Sequence, residues 1–273
     1  MRADLHVHSH YSDGSNSVEE VMKRAVFNGI TQISFVDHDT IKGLPEILSL
    51  GEKYGIDVIT GIEISAYDFK RKRKVHVLGY NYDLKAIHIE SICQKVRERR
   101  QTHSLWQIDQ IKAAGYNLDN QAIMETAKPS NTIYKQHIMK HLTEAPYTSL
   151  QYKQLYRKLF KGDGVASGYI EYLDAFEAVS AIVADGGIAV VAHPGQLNSY
   201  DLIPELVEVG LGGIERNHPD HRMEDHRKVK GLANNYDLIM TGGTDYHGVF
   251  GESIEVGDIL SPINLLNKSC KHL

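Results

Sequence analysis

The sequence predicts an α/β fold: a mainly parallel sheet, open or closed, carrying an all-helical insertion. Three observations predict it. Apolar strand-like runs alternate with helical patterns up to residue 88 and again from residue 171. Between them, residues 89–170 keep helical spacing and offer no convincing strand. Histidines and carboxylates recur just after the apolar runs, and the C-terminal strand ends of a parallel α/β sheet converge on one face. The expected organisation is a body made of 1–88 and 171–273 with an insertion at 89–170.

Each element has its own signals. The first strand holds Asp4-Leu-His-Val-His8. Ser17-Val-Glu-Glu20 reads as a capping box, and Val18, Val21, Met22 and Ala25 follow at helical spacing up to Gly29. A short apolar strand at 32–36 runs into Asp37-His38-Asp39-Thr40, a helix at 44–54 stops at Gly55, and 56–64 is the next apolar stretch. The run Lys70-Arg-Lys-Arg-Lys74 precedes another strand at 75–80. A nucleic-acid patch and a solvated hairpin turn both fit it, and its shortness and isolation favour the turn. The insertion reads as helices at 87–114, 119–127, 132–142 and 150–160. Alternation resumes with a helix at 174–185, a strand at 188–192, a helix near 202–209, the segment Gly213-Ile-Glu-Arg-Asn-His218, a helix at 223–235 and a strand at 238–241.

At 273 residues, 42% hydrophobic and 24% charged, the chain can bury a sizeable core. It contains no apolar run of bilayer length, and it enters a strand within four residues, so neither a membrane partner nor a secretory leader is expected. Cys93 and Cys270 are the sole cysteines, which argues against a disulfide framework or thiolate zinc site and suits the cytoplasm. The net charge of −5 is uneven: 89–170 holds 12 Lys/Arg against 7 Asp/Glu. A basic insertion suits a phosphorylated partner, and a solvated helical surface fits as well.

His6 and His8 project from one side of a strand, where two imidazoles can reach one cation. His38, Glu63, His193, Asp245 and His247 share the same kind of strand-end address, and Asp13 and His76 complete the set. Imidazoles and carboxylates without thiolates suit Zn, Mn or Fe sites with open positions. Nine donors suffice for three divalent metal ions at three protein ligands each. Two cations about 3.5 to 4 Å apart can share a hydroxide at neutral pH and neutralise phosphoryl oxygens, so metal-assisted hydrolysis of a phosphate ester is expected.

Asp4-Leu-His-Val-His8 with Ser12-Asp-Gly14, Asp37-His-Asp-Thr40, Gly61-Ile-Glu-Ile-Ser65, Ala192-His-Pro194 and Gly243-Thr-Asp-Tyr-His247 together resemble the motif set of the polymerase and histidinol phosphatase (PHP) family. The resemblance covers about 1–88 and 171–250 and implies a distorted (β/α)7 barrel with a trinuclear metal centre. It would place one metal on His6, His8, Glu63 and Asp245. A second would take Glu63, His76 and His193, and a third Asp13, His38 and His247.

The helical insertion resembles that of relatives acting as nucleoside 3′,5′-bisphosphate phosphatases, some of which also trim RNA from its 5′ end. Where those carry R-x-x-R and R-x-H, this chain has Arg100-x-x-His103 and Lys135-Gln-His137. A lysine holds phosphate as a point charge and not as a fork. The implied substrate contacts are Arg100, Lys135, His137 and His221, and the catalytic set is Glu63, Asp245 and His221, with His221 or a metal-bound water protonating the leaving oxygen. The expected substrate is a small nucleotide, best the 3′-phosphate of a nucleoside 3′,5′-bisphosphate. Alternatives are histidinol phosphate, a cyclic nucleotide, a short 5′-phosphorylated RNA, or a non-catalytic metal-containing nucleic-acid-binding module. His10, His88, His103, His141, His218, His226 and His272 read as surface or structural, and Trp106 as core in preference to a base-stacking platform.

Overall fold

The computed structural model describes residues 2–265, so Cys270 and His272 lie outside the described residues. β1 (Ala3–Val7) leads to α1 (Val18–Phe27), whose capping box forms: the Glu20 amide donates to the Ser17 hydroxyl and the Ser17 amide to the Glu20 carboxylate. Gly29, at φ 68, turns the chain into β2 (Gln32–Phe35), and α2 (Leu44–Tyr54) ends likewise at Gly55. The apolar stretch at 56–64 divides in two. β3 (Asp57–Val58) pairs with β2, whereas β4 (Gly61–Asp68) joins another sheet. Glycine is required at the crossing, because a Cβ on Gly61 would sit 2.1 Å from Ser34 Oγ. Residues 69–72 alone join β4 to β5 (Arg73–Tyr80), so the two run antiparallel.

The insertion opens with α3 (Ile87–Ala113), whose apolar positions serve two cores. Ile89, Cys93 and Val96 join the body's cluster, while Ile108 and Ile111 pack with Ile123, Ile138, Leu159 and Phe160. That second cluster is closed by α4 (Asn120–Ala127), α5 (Lys135–Lys140) and α6 (Leu150–Phe160). α5 is shorter than the helix expected at 132–142 because the chain is still extended at Tyr134, its N-cap. β6 (Leu173–Asp174), unforeseen in the sequence, pairs with β4 and supplies Asp174 as the N-cap of α7 (Ala175–Ala184). β7 (Ile188–Val191), the short α8 (Pro194–Leu197) and α9 (Ile203–Val207), β8 (Leu211–Asn217), α10 (Met223–Tyr236) and β9 (Ile239–Gly242) complete the body. Along β4 the two-residue period sorts the faces. Ile62, Ile64 and Ala66 pack with Ala178, Val179 and Ile182 of α7, and Glu63 and Ser65 point the other way.

The strands form two sheets, ordered β1-β2-β3 and β6-β4-β5-β7-β8-β9. Ladders β4/β5 and β5/β7 are antiparallel and the rest parallel, so the mixed α/β content agrees with expectation. No single continuous (β/α)7 ladder runs through all the described strands, and the four-residue hairpin makes β4 and β5 antiparallel. The sheets meet instead through bridges between Val7 and Tyr246 and between His38 and Glu63. At these seams the His8 amide donates to the Tyr246 carbonyl and the Asp39 amide to the Glu63 carbonyl, each at 2.9 Å. The ends of β1 and β2 are thereby drawn against β4 and the loop after β9.

The cationic run is a hairpin turn, as the sequence favours, but an ion-paired one. Arg71 and Arg73 reach the buried Asp68 and also Asp201, and Arg71 and Lys70 reach Glu205. Among the described residues no helix is long and apolar enough to cross a membrane.

Candidate active site

All nine donors chosen from the sequence gather where the sheets meet. His6 and His8 are fully buried with ring centroids 5.3 Å apart. Glu63 stands between imidazoles from several elements. Its Oε1 lies 2.9 Å from both His76 Nδ1 and His193 Nε2, and its Oε2 lies 3.3 Å from His8 Nε2, 3.3 Å from His38 Nδ1 and 3.5 Å from His6 Nε2. Burial opposes its charge, but His38, His76, His6 and His193 outweigh burial and hold the carboxyl well below its usual range. Asp245 Oδ1 lies 3.2 Å from His6 Nε2 and 3.3 Å from His8 Nε2. Asp13 Oδ1 is 3.3 Å from His247 Nε2, and its Oδ2 is 4.0 Å from His38 Nε2.

The cluster fits divalent cations. Buried polar atoms normally find partners, yet His6 Nε2, both His8 nitrogens, His38 Nδ1, His193 Nδ1 and Asp13 Oδ1 have no hydrogen bond among the described residues. Three groups have donor atoms within 4.8 Å of one another: His6, His8, Glu63, Asp245; His8, Asp13, His38, His247; and His38, Glu63, His76. The first is the set the family resemblance implies. In the others His8 and His38 each serve two groups, and His193 stands outside the tight third group although it touches Glu63. Asp245 and His193 adopt left-handed backbone at φ 50 and 24, strain that the surrounding structure must hold.

Carboxylates that are not cluster donors brace it. Glu215, fully buried on β8, accepts from His6 Nδ1 at 2.9 Å and from the His193 amide at 2.8 Å, which turns His6 Nε2 toward the cluster. The sequence reading missed this role, although Gly213-Ile-Glu215 repeats the tripeptide Gly61-Ile-Glu63. Asp37 accepts from Ser9 and Ser12, and Asp4 from Thr244 and Gly257, so both hold ligand loops. Burial is the chief reason the Asp4 carboxyl is pushed up to about 6. A Cβ on Gly243 would lie 2.4 Å from the His6 amide nitrogen, which makes glycine obligatory there.

Two further histidines, His218 and His221, stand near the cluster. His221 receives the Gly195 amide at Nε2, 3.0 Å away, and gives its Nδ1 proton to the Arg216 carbonyl at 2.8 Å. Both of its ring nitrogens are thus bonded to backbone groups. His218, read as structural, is buried with its ring 5.0 Å from that of His193. Its Nδ1 accepts from the Asp220 amide, so Nε2 carries the proton, 3.3 Å from Asp245 Oδ2.

Beside the cluster lies a cavity of about 240 Å³ lined by Asp13, His38 and His76 together with Lys74, Arg100 and Lys135. Arg100 is anchored to Asp39 Oδ2 at 2.7 Å and Ser65 Oγ at 2.9 Å, while its Nε is buried without a partner. Lys74 and Lys135 have no carboxylate partner among the described residues. Lys74 lies 5.1 Å from the Tyr172 ring centre and Lys135 5.6 Å from that of Phe160. Burial, with Lys74, Lys161 and Arg100 nearby, pushes the Lys135 ammonium down to about 7. His137 faces elsewhere: it accepts from the Tyr134 amide at 3.1 Å and borders a different cavity with His10 and His141. His103 lines the cationic cavity after all, and Trp106 stacks on it while remaining 40% exposed, so Trp106 is not core.

A buried imidazole–carboxylate cluster beside a cationic cavity on this mixed α/β body defines a metal-dependent phosphoric ester hydrolase. The chain belongs to the PHP domain family, whose model matches residues 4–171. It is 50% identical over 94% of its length and 98% of the other chain to the phosphoribosyl 1,2-cyclic phosphate 1,2-diphosphodiesterase of Eggerthella lenta. It is 28% identical, over 95% and 93% of the two chains, to the 3′,5′-nucleoside bisphosphate phosphatase of Chromobacterium violaceum. The 5′-3′ exoribonuclease of Haemophilus influenzae is 27% identical over 95% and 97%. A solved structure from Bifidobacterium adolescentis, described as a metal-dependent phosphoesterase, superimposes with a TM-score of 0.86 at 25% identity, covering 95% of this chain and 92% of that one.

Proposed function

We propose that this chain opens the cyclic phosphodiester of a small phosphorylated sugar, with phosphoribosyl 1,2-cyclic phosphate as the best candidate, using three divalent ions, Mn, Fe or Zn. The observation that carries the reading is the cavity shared by the donor cluster and Lys74, Arg100 and Lys135. It suits a substrate with two phosphoryl groups, one at the cluster and one at the cations. When bound, the ions would supply Lewis-acid charge and a water of lowered pKa. The chain's own groups would position the rest. Glu63 would help hold the ions, and Lys74 and Lys135 would hold the remote phosphate. The 50% identical relative is named for phosphoribosyl 1,2-cyclic phosphate. The location within this reading is the cytoplasm, where the buried, unpaired Cys93 stays reduced.

A nucleoside 3′,5′-bisphosphate, expected from the sequence, ranks second. Its base would have to occupy the neighbouring cavity where Tyr147 and Phe250 border Asp245 and His247. The test is phosphorus NMR of the Mn-loaded protein with the cyclic sugar phosphate, adenosine 3′,5′-bisphosphate and a 5′-phosphorylated oligonucleotide. Ring opening at least about tenfold faster than the other reactions is expected. Turnover of the bisphosphate or oligonucleotide alone would overturn the cyclic reading.

A further inference from the structure

We propose that Gln136 is a positioning residue through which the insertion sets the cation affinity of the group formed by His8, Asp13, His38 and His247. The sequence singles out its neighbours in Lys135-Gln-His137, but the middle residue is the one whose side chain touches a cluster donor. Gln136 Nε2 lies 3.0 Å from Asp13 Oδ2. The Asp13 carboxyl is buried, and the Gln136 amide donates from its NH2 to the carboxylate oxygen.

That bond fixes how the carboxylate is turned. Oδ2 is engaged by the amide, and Oδ1 is left facing His247 Nε2 at 3.3 Å and His8 Nδ1 at 3.8 Å. Oδ1 is also buried without a hydrogen-bond partner, the state of a donor awaiting a cation. The same turn of the insertion grips a second member of the group. Tyr134 gives its hydroxyl proton to the His38 carbonyl at 3.0 Å and lays its ring over the His38 ring at 24°. Lys135, between the two, lines the cationic cavity. One short stretch of insertion therefore touches two donors of this group and the cavity at once, whereas Glu215 performs the bracing of His6 from the body.

The inference rests on the reading that this group holds a cation. Its test uses the intact protein without substrate, titrated with Mn and analysed for bound metal. Gln136→Leu, which keeps bulk and loses the donor, should weaken one equivalent by about 10- to 100-fold and leave the others unchanged. Gln136→Glu, which adds negative charge beside Asp13, should tighten that equivalent. Opposite shifts in the two variants support the inference; unchanged binding in both, or equal weakening in both, overturns it. Asp13→Asn separates the premises. If it loses no equivalent, the cation reading of the group falls; if it loses one while Gln136→Leu binds like the parent protein, only the role of Gln136 falls.

Discussion

Lys135 converts the cavity's electrostatics into a measurable pH dependence. Burial and three neighbouring cations bring its ammonium down to about 7, so the charged form is the costly one in the folded protein. The sign follows: the free enzyme carries the charge below about pH 7 and loses it as pH rises. A charge-assisted contact to phosphate contributes about 1.5 to 3 kcal/mol, or about 10- to 150-fold in affinity. For a substrate with a second phosphate, KM should stay level near pH 6.5 and rise toward that factor by about pH 9, while kcat changes little. Lys135→Arg keeps its charge throughout and should flatten the profile. Lys135→Met should be flat at the high-KM end. Initial rates of the three proteins from about pH 6.5 to 9 decide the matter. A parent KM independent of pH, together with an unaltered KM in Lys135→Met, would refute the assignment of Lys135 to the phosphate.

Glu63→Gln replaces a carboxylate whose two oxygens face five histidines with an amide that offers one acceptor. We expect a fall in kcat of about 10³-fold, corresponding to about 4 kcal/mol, with fewer than the parent's equivalents of metal by elemental analysis. Retained turnover and metal content would remove Glu63 from the centre. Glu215→Gln leaves the volume unchanged but weakens the acceptor that orients His6. Metal affinity at the group of His6, His8, Glu63 and Asp245 should drop by about 10- to 100-fold, as a competition titration with a chelator would show.

Helices were the most legible part of the fold, because their signals are local. Ser17 with Glu20, Gly55 and Asp174 mark ends that the structure places within a residue or so of where they were read. Strand partners are another matter, since pairing is non-local. The stretch at 56–64 splits between two sheets, β6 is two residues long, and the hairpin through Lys70–Lys74 makes part of the sheet antiparallel. Alternation left the sheet open or closed and the barrel came from the family resemblance; the described ladders form two sheets joined by bridges at Val7/Tyr246 and His38/Glu63.

The sequence by itself marked most helices and strands and picked out nine donors that the structure brings together, because strand period, caps and residue type are carried by neighbours along the chain. Tertiary structure decided how those donors are used. Only packing shows that Glu215 bonds His6, that His221 is bonded to backbone while His218 lies against Asp245, and that Gln136 reaches Asp13. The orientation of a side chain depends on groups brought to it from distant parts of the chain. Asp13 and Gln136 are separated by more than a hundred residues, and only the insertion's docking on the body brings them to 3.0 Å.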